Sequence, residues 1–254
     1  MKQITKSSIL KKIEDYCSNP QLITSISDVP QDISQDVLSQ IPQSWLDLLS
    51  LDDVDFTKLR ELWQPIVHRG ESIINNLEFK LQGLVILIED NRPPSLLYIF
   101  LNEEELFFHR GFPPLKETEI PEKIQSFWPM LPEDFKTLYS IHNGWTSFFS
   151  GAMGHKPIDE IELLSSEEWM LEPEVIKDLP IDHTKTILVF RSGGPGYLAF
   201  ECIEPEPKSM IFWSNNPTKP EFFKSFWTNF NLWLLIDMES KDFNKSTLGD
   251  DYED

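Results

Sequence analysis

Apolar and polar residues follow different periods in different parts of this chain. Up to about residue 77 the spacing is helical. SSILKKIEDYC is a short amphipathic segment with Ser7 or Ser8 as its cap. Val37, Leu38, Ile41 and Trp45 recur within 31–50, and Leu59, Leu62, Trp63, Ile66 and Val67 within 56–77, which predicts helices there. Pro65 starts or kinks the last of them. From Leu77 the period shortens: LEFKLQGLVILIED, SLLYIFLN and ELFFHRG read as strands, with Asn91-Arg92-Pro93-Pro94 as a breaker. Phe112-Pro113-Pro114 closes this section. The pattern allows a domain boundary near 111–118, or one continuous domain in which the first helices pack on the later sheet.

The second half predicts helices over TEIPEKIQSFW and LPEDFKTLYSIHNG. Strands are predicted at Trp145–Ser150, Pro157–Leu163, Thr186–Phe190, Gly196–Ile203 and Ser209–Trp213. EFFKSFWTNFNLWLLIDM is a strong late helix, apolar around so much of its surface that it must be largely buried or cover a second surface, such as the N-terminal region. Residues 238–254 form an acidic tail too polar to predict a packed structure. No repeat of solenoid or propeller length is present.

Within LPEDFKTLYSIHNGW, Pro132 suits the first helical position, where its missing N–H has no helical partner. Glu133 and Asp134 favour the positive end of the helix dipole. Leu131 is an apolar anchor, and Leu131, Phe135, Leu138 and His142 share a face. Asn143-Gly144 takes positive φ and ends the helix.

The pattern Leu-Pro-x-Asp-Phe-Lys, apolar pairs, then Asn-Gly resembles the SUKH superfamily, which includes yeast cell-wall-synthesis regulators and many bacterial immunity proteins. ILVFRSGGPGYLAFEC resembles that family's strand, glycine-rich turn and strand, through Gly193, Gly194 and Gly196. SMIFWSNNP resembles its next strand, and FFKSFWTNFNLWL its closing helix with the Ser225-Phe226 pair. The likeness covers roughly 118–237; residues 1–117 match nothing in it. Tyr197 stands where the family often carries an acidic residue. The resemblance implies an α+β fold with a mixed or antiparallel sheet flanked by helices, here with an N-terminal helical and β-hairpin extension. It implies binding and not catalysis: an immunity protein that neutralises a cognate polymorphic toxin of interbacterial competition by occluding its active site or substrate path. The alternative is a cytoplasmic scaffold or regulatory adaptor of the same fold.

Charge sharpens the expectation. The chain of 254 residues has a formal net charge of −20. Residues 1–127 carry 12 basic and 20 acidic side chains, and residues 128–254 carry 10 and 22, so the acidity is not confined to the tail. Such a surface repels phosphate backbones, which argues against nucleic-acid binding, and attracts basic proteins. A toxin with a basic surface, such as a nuclease or nucleotide-acting enzyme, is the expected partner.

Other chemistry finds little support. Cys17 and Cys202 make no disulfide framework, and the N-terminal segment lacks a signal-peptide core, so a reducing cytoplasm is expected. LVILI at 84–88 is too short to span a bilayer. SGGPG at 192–196 lacks the Lys-Ser/Thr of a phosphate loop and reads as a strand–strand turn. His68, His109, His142, His155 and His183 show no metal-ligand spacing, and no GxSxG elbow is present. No catalytic residue, metal or cofactor is assigned. Acidic pairs are expected by chance in so acidic a chain, and solvated surface is their ordinary role. As partner contacts the candidates are Glu160, Glu162, Glu167 and Glu168, with the aromatics Trp145, Phe148, Phe149, Trp169 and Trp213 near predicted loops. Core packing is the competing role for these aromatics.

Overall fold

A computed structural model describes residues 4–102, 105–166, 173–223 and 225–239. Its strands are β1 (Gln21–Ile23), β2 (Leu81–Ile88), β3 (Ser95–Asn102), β4 (Glu105–Gly111), β5 (Trp145–Ser147), β6 (Glu162–Leu163), β7 (Thr186–Arg191), β8 (Gly196–Glu201), β9 (Lys208–Trp213) and β10 (Glu221–Phe223). Its helices are α1 (Lys6–Ile13), α2 (Gln35–Leu38), α3 (Gln43–Leu46), α4 (Phe56–Leu62), α5 (Val67–Lys80), α6 (Glu122–Gln125), α7 (Glu133–Lys136), α8 (Pro173–Lys177) and α9 (Phe226–Glu239). The fold is α+β.

Two antiparallel arrays run β1-β2-β3-β4-β5 and β10-β9-β8-β7-β6. Residues 152–156 stitch them together. The Trp145 amide donates to the His155 carbonyl at 3.0 Å and the Ser147 amide to Ala152 at 2.8 Å. On the other side of the same segment, the Met153 amide donates to Arg191 at 2.7 Å and the Lys156 amide to Val189 at 3.0 Å. The sheet therefore passes from one half of the chain into the other across paired backbone, and the 111–118 region lies inside this continuous fold.

Strand alternation divides the burial. Leu84 and Ile86 of β2 join the large core with Trp45, Trp63, Leu77, Phe135, Phe200 and Phe230, which draws on both halves. Val85 and Leu87 point to the opposite face, where Ile9 and Ile13 of α1 cover them. Behind β7–β9 a third cluster, including Leu188, Ala199 and Phe212, packs against Val175 and Ile176 of α8. Helix α9 buries Phe226, Trp227, Phe230, Leu234 and Met238, while Leu232 and Ile236 stay exposed. It also lies along α5: the Asn231 side-chain amide donates to the Arg69 carbonyl at 2.7 Å, and Lys80 Nζ to the Met238 carbonyl at 3.2 Å. The second surface expected for this helix is thus the N-terminal region.

Several element boundaries differ from the sequence expectation. Helix α5 runs on to Lys80, because Ile73, Ile74 and Leu77 share one buried helical face; the strand begins at Leu81. The helix expected from Leu131 to His142 is one α-turn, Glu133–Lys136, followed by a 3-10 turn, Thr137–Ser140. Pro132 is its capping residue and not its first helical one. TEIPEKIQSFW contributes only α6, with 3-10 turns at Glu117–Glu119 and Trp128–Met130. Prolines at 121 and 129 explain the fragmentation, since each removes a backbone donor. Pro157–Leu163 is a 3-10 turn at Ile158–Glu160 followed by the two-residue β6. Glu221–Phe223 pairs with β9 before the last helix starts.

Candidate functional site

A cleft of about 840 Å³ opens where four loops from distant parts of the chain meet. Its walls are Ile41 and Pro42, Pro93, the run Phe112–Leu115, and Pro157–Ile158. Five prolines (42, 93, 113, 114 and 157) line it. Their fixed φ makes the walls preorganised, so an occupant orders little backbone on entry. An adjoining recess of about 510 Å³ is bounded by Asn19, Asp32, Ile33, Val37 and Asp90. The two share Gln40, Asn91, Arg92 and Pro93 along their common boundary and form one groove.

Asn143-Gly144 builds its inner wall. The Asn143 Oδ1 accepts the Ile158 amide at 2.8 Å, and the Asn143 amide donates to the Phe112 and Pro113 carbonyls at 3.3 and 3.2 Å. Gly144 has φ +85°, and a Cβ there would lie 2.5 Å from the Pro157 nitrogen. Only glycine permits both the turn and the close approach.

A buried polar chain anchors the same corner. His142 Nδ1–H donates to the Phe112 carbonyl at 3.2 Å, so its Nε2 accepts from the Tyr98 hydroxyl at 2.7 Å. Tyr98 in turn accepts Trp63 Nε1–H at 3.1 Å. Burial pushes His142 down to about 3 and His155 down to about 4, so both are neutral. Gly111 leaves room for the His142 ring, since a Cβ there would sit 2.4 Å from its Nδ1.

The groove's charges are unevenly matched. Its lining carries the carboxylates Asp32, Glu89, Asp90, Glu119, Asp159 and Glu160 and the cations Arg92 and Lys116. Lys116 pairs with Glu119 at 3.6 Å. Arg92 pairs with Glu89 at 3.5 Å, although Arg110 already holds that buried carboxylate at 3.2 Å. Among the described residues Asp90 and Asp32 accept from the neutral amides of Asn19 and Gln21, at 2.7 and 3.1 Å, and form no ion pair. Burial raises the Glu160 carboxyl above the usual range and the neighbouring Asp159 charge adds to this, while Lys156 and Arg92 oppose it. Glu160 is exposed as a residue and lines the groove.

The sequence candidates fall in different places. Of the proposed partner contacts, Glu160 lines the groove. Glu162 stands beyond it on β6, 3.6 Å from Lys156 Nζ. Glu167, Glu168 and Trp169 lie outside the described residues. Trp145 is fully buried between Trp63 and His109, with no surface to offer a partner, because its strand is covered on that face by the N-terminal helices. Trp213 is half-buried; its Nε1–H donates to Glu221 at 2.7 Å and its ring faces Trp233. Phe148 and Phe149 are half-buried at the β5 tip. There they pack with Tyr16, which is 63% exposed, and with the Arg110 guanidinium 4.4 Å above the Phe148 ring.

The motif residues are structural. Leu131, Phe135 and Phe226 are core, and Phe226 stacks on Phe200 at 5.1 Å. Gly193 (φ +80°), Gly194 and Gly196 make the β7–β8 turn, where a Cβ on Gly196 would strike Trp213 at 2.8 Å. Sequence reasoning missed Arg92, Asp32, Asp90 and Asp159. The proline breakers at 93–94 and 113–114 were the available signal, read there as punctuation and not as walls.

Among the described residues no group of three His, Cys, Asp or Glu side chains could hold a metal ion, and no helix is long and apolar enough to cross a membrane. Comparison with protein-family models, curated proteins and solved structures finds no match to this chain.

Proposed function

We propose that this protein works by binding another protein: that it is an immunity protein that neutralises a toxin in the cytoplasm by blocking its active site or substrate path. One observation carries the reading. A preorganised, proline-walled groove opens on a sheet-and-helix frame, and four of its carboxylates, Asp32, Asp90, Asp159 and Glu160, form no ion pair among the described residues. Rigid apolar walls lower the ordering cost of association, and unpaired carboxylates steer basic partners toward them. The chain's net charge of −20 acts in the same direction at longer range. The SUKH resemblance of residues 118–237 supports the toxin-directed version over a general scaffold.

The test is a tagged capture from the native cell at low and high salt, followed by expression of each captured protein alone. The reading expects one dominant partner, retained at high salt and toxic unless this chain is co-expressed. Many weak partners lost at high salt would favour a scaffold instead.

A further inference from the structure

We infer that the groove is a docking slot for an extended cationic segment of the partner protein, and that Arg92 is this chain's own cation held where that segment's charge binds. The inference deepens the binding role proposed above and rests on it.

Charge complementarity identifies the occupant. Lys116 and Arg92 are each committed to a groove carboxylate, Glu119 and Glu89. Asp32, Asp90, Asp159 and Glu160 form no ion pair among the described residues, and they lie in both recesses. An occupant must therefore bring positive charge to both recesses and apolar groups to the proline walls of the larger one. An extended peptide with alternating cationic and apolar residues does this, because successive side chains point to opposite sides. A compact cation fills one recess only.

Arg92 holds the boundary common to both recesses. Its side chain is 58% exposed, and its partner Glu89 is already neutralised by the buried Arg110. The Arg92–Glu89 contact is thus a second, longer pairing of a carboxylate that Arg110 already holds. Arg92 nevertheless lines the same cavity as Asp159 and Glu160. A guanidinium so placed repels an incoming cation and competes with it. Removing it should strengthen binding, an outcome opposite to the loss of an ordinary contact.

The experiment uses the full chain and a fluorescein-labelled octapeptide of alternating Arg and Leu, read by fluorescence anisotropy at low and moderate salt. A Glu-for-Arg peptide and spermidine are the controls. Arg92→Gln should tighten binding by about 3- to 10-fold, and the double change Asp159→Asn, Glu160→Gln should weaken it by about 10-fold or more, as expected for exposed charge pairs. Neutralising Glu14 and Asp15, exposed carboxylates that line neither recess, should change little. Circular dichroism would confirm that each variant folds. The slot is overturned if Arg92→Gln fails to tighten binding, if Glu14 and Asp15 matter as much as Asp159 and Glu160, or if spermidine binds as well as the peptide. Expected peptide behaviour without any captured toxin would leave the slot standing and refute the immunity role. A toxin held at full affinity by the Asp159→Asn, Glu160→Gln variant would do the reverse.

Discussion

Asn143 holds Ile158 by a 2.8 Å hydrogen bond from the Ile158 amide to its side-chain oxygen, and that bond positions a groove wall. Asp159 and Glu160 follow directly on the same turn. Asn143→Ala should leave the Ile158 amide unpaired and cost ~1–3 kcal/mol. Urea unfolding would measure the cost, and partner or peptide binding should fall with it. Gly144→Ala combines a positive φ with a clash against Pro157, so a loss above ~2 kcal/mol is expected.

The Trp63–Tyr98–His142 chain predicts an outcome larger than one lost hydroxyl. Tyr98→Phe strands two buried groups, the Trp63 N–H and the His142 Nε2. The expected loss is ~2–4 kcal/mol, read from the denaturation midpoint. A change under ~1 kcal/mol would mean that the chain contributes little to holding the two halves together.

Stability should fall as the solution is acidified toward pH 5. His142 and His155 are depressed to about 3 and about 4, whereas an unfolded histidine titrates near ~6.5. Below that value the unfolded chain binds protons that the folded chain does not, so the stability of the neutral form is present above the unfolded pKa and lost as pH falls. Each histidine should remove ~1.5 kcal/mol between roughly pH 6.5 and 5, before most carboxylates titrate. Unfolding midpoints across that window should follow this slope, and His155→Gln should reduce it by about half.

The ion pair between Arg110 and Glu89 is almost fully buried, with side-chain exposures of 8% and 5%. Arg110→Met should cost ~3–5 kcal/mol because the buried Glu89 then keeps only its longer contact to the exposed Arg92. Replacing Glu89 by Gln as well should recover part of that loss. Thermal unfolding of the single and double variants checks the sign.

The sequence made some of this legible. The apolar runs of β2–β4 and the SGGPG turn follow from local rules that tertiary packing does not override, and Gly144 takes the expected positive φ, but the helical turns end at Ser140, before Asn143-Gly144. The start of β2 was misplaced because Leu77 satisfies a helical and a strand pattern alike. Around Pro121, Pro129 and Pro132 apolar spacing persists across the breaks and predicts longer helices than form. Trp145 takes the core role and not the contact role, because nearness to a loop in sequence does not give depth. Glu160, an acidic contact candidate from the sequence, lines the groove. The groove itself was not legible, because its walls come from residues 39–42, 91–93, 112–116 and 157–160, and only the folded chain brings them together.

The central claim is that the groove is where a protein partner is held. The most direct measurement is protection of a host expressing the captured toxin, comparing the native chain with the Asp159→Asn, Glu160→Gln variant at matched expression. The account predicts that the native chain rescues growth and the variant, though folded, does not. Equal rescue by both would contradict it and place the interface elsewhere on the molecule.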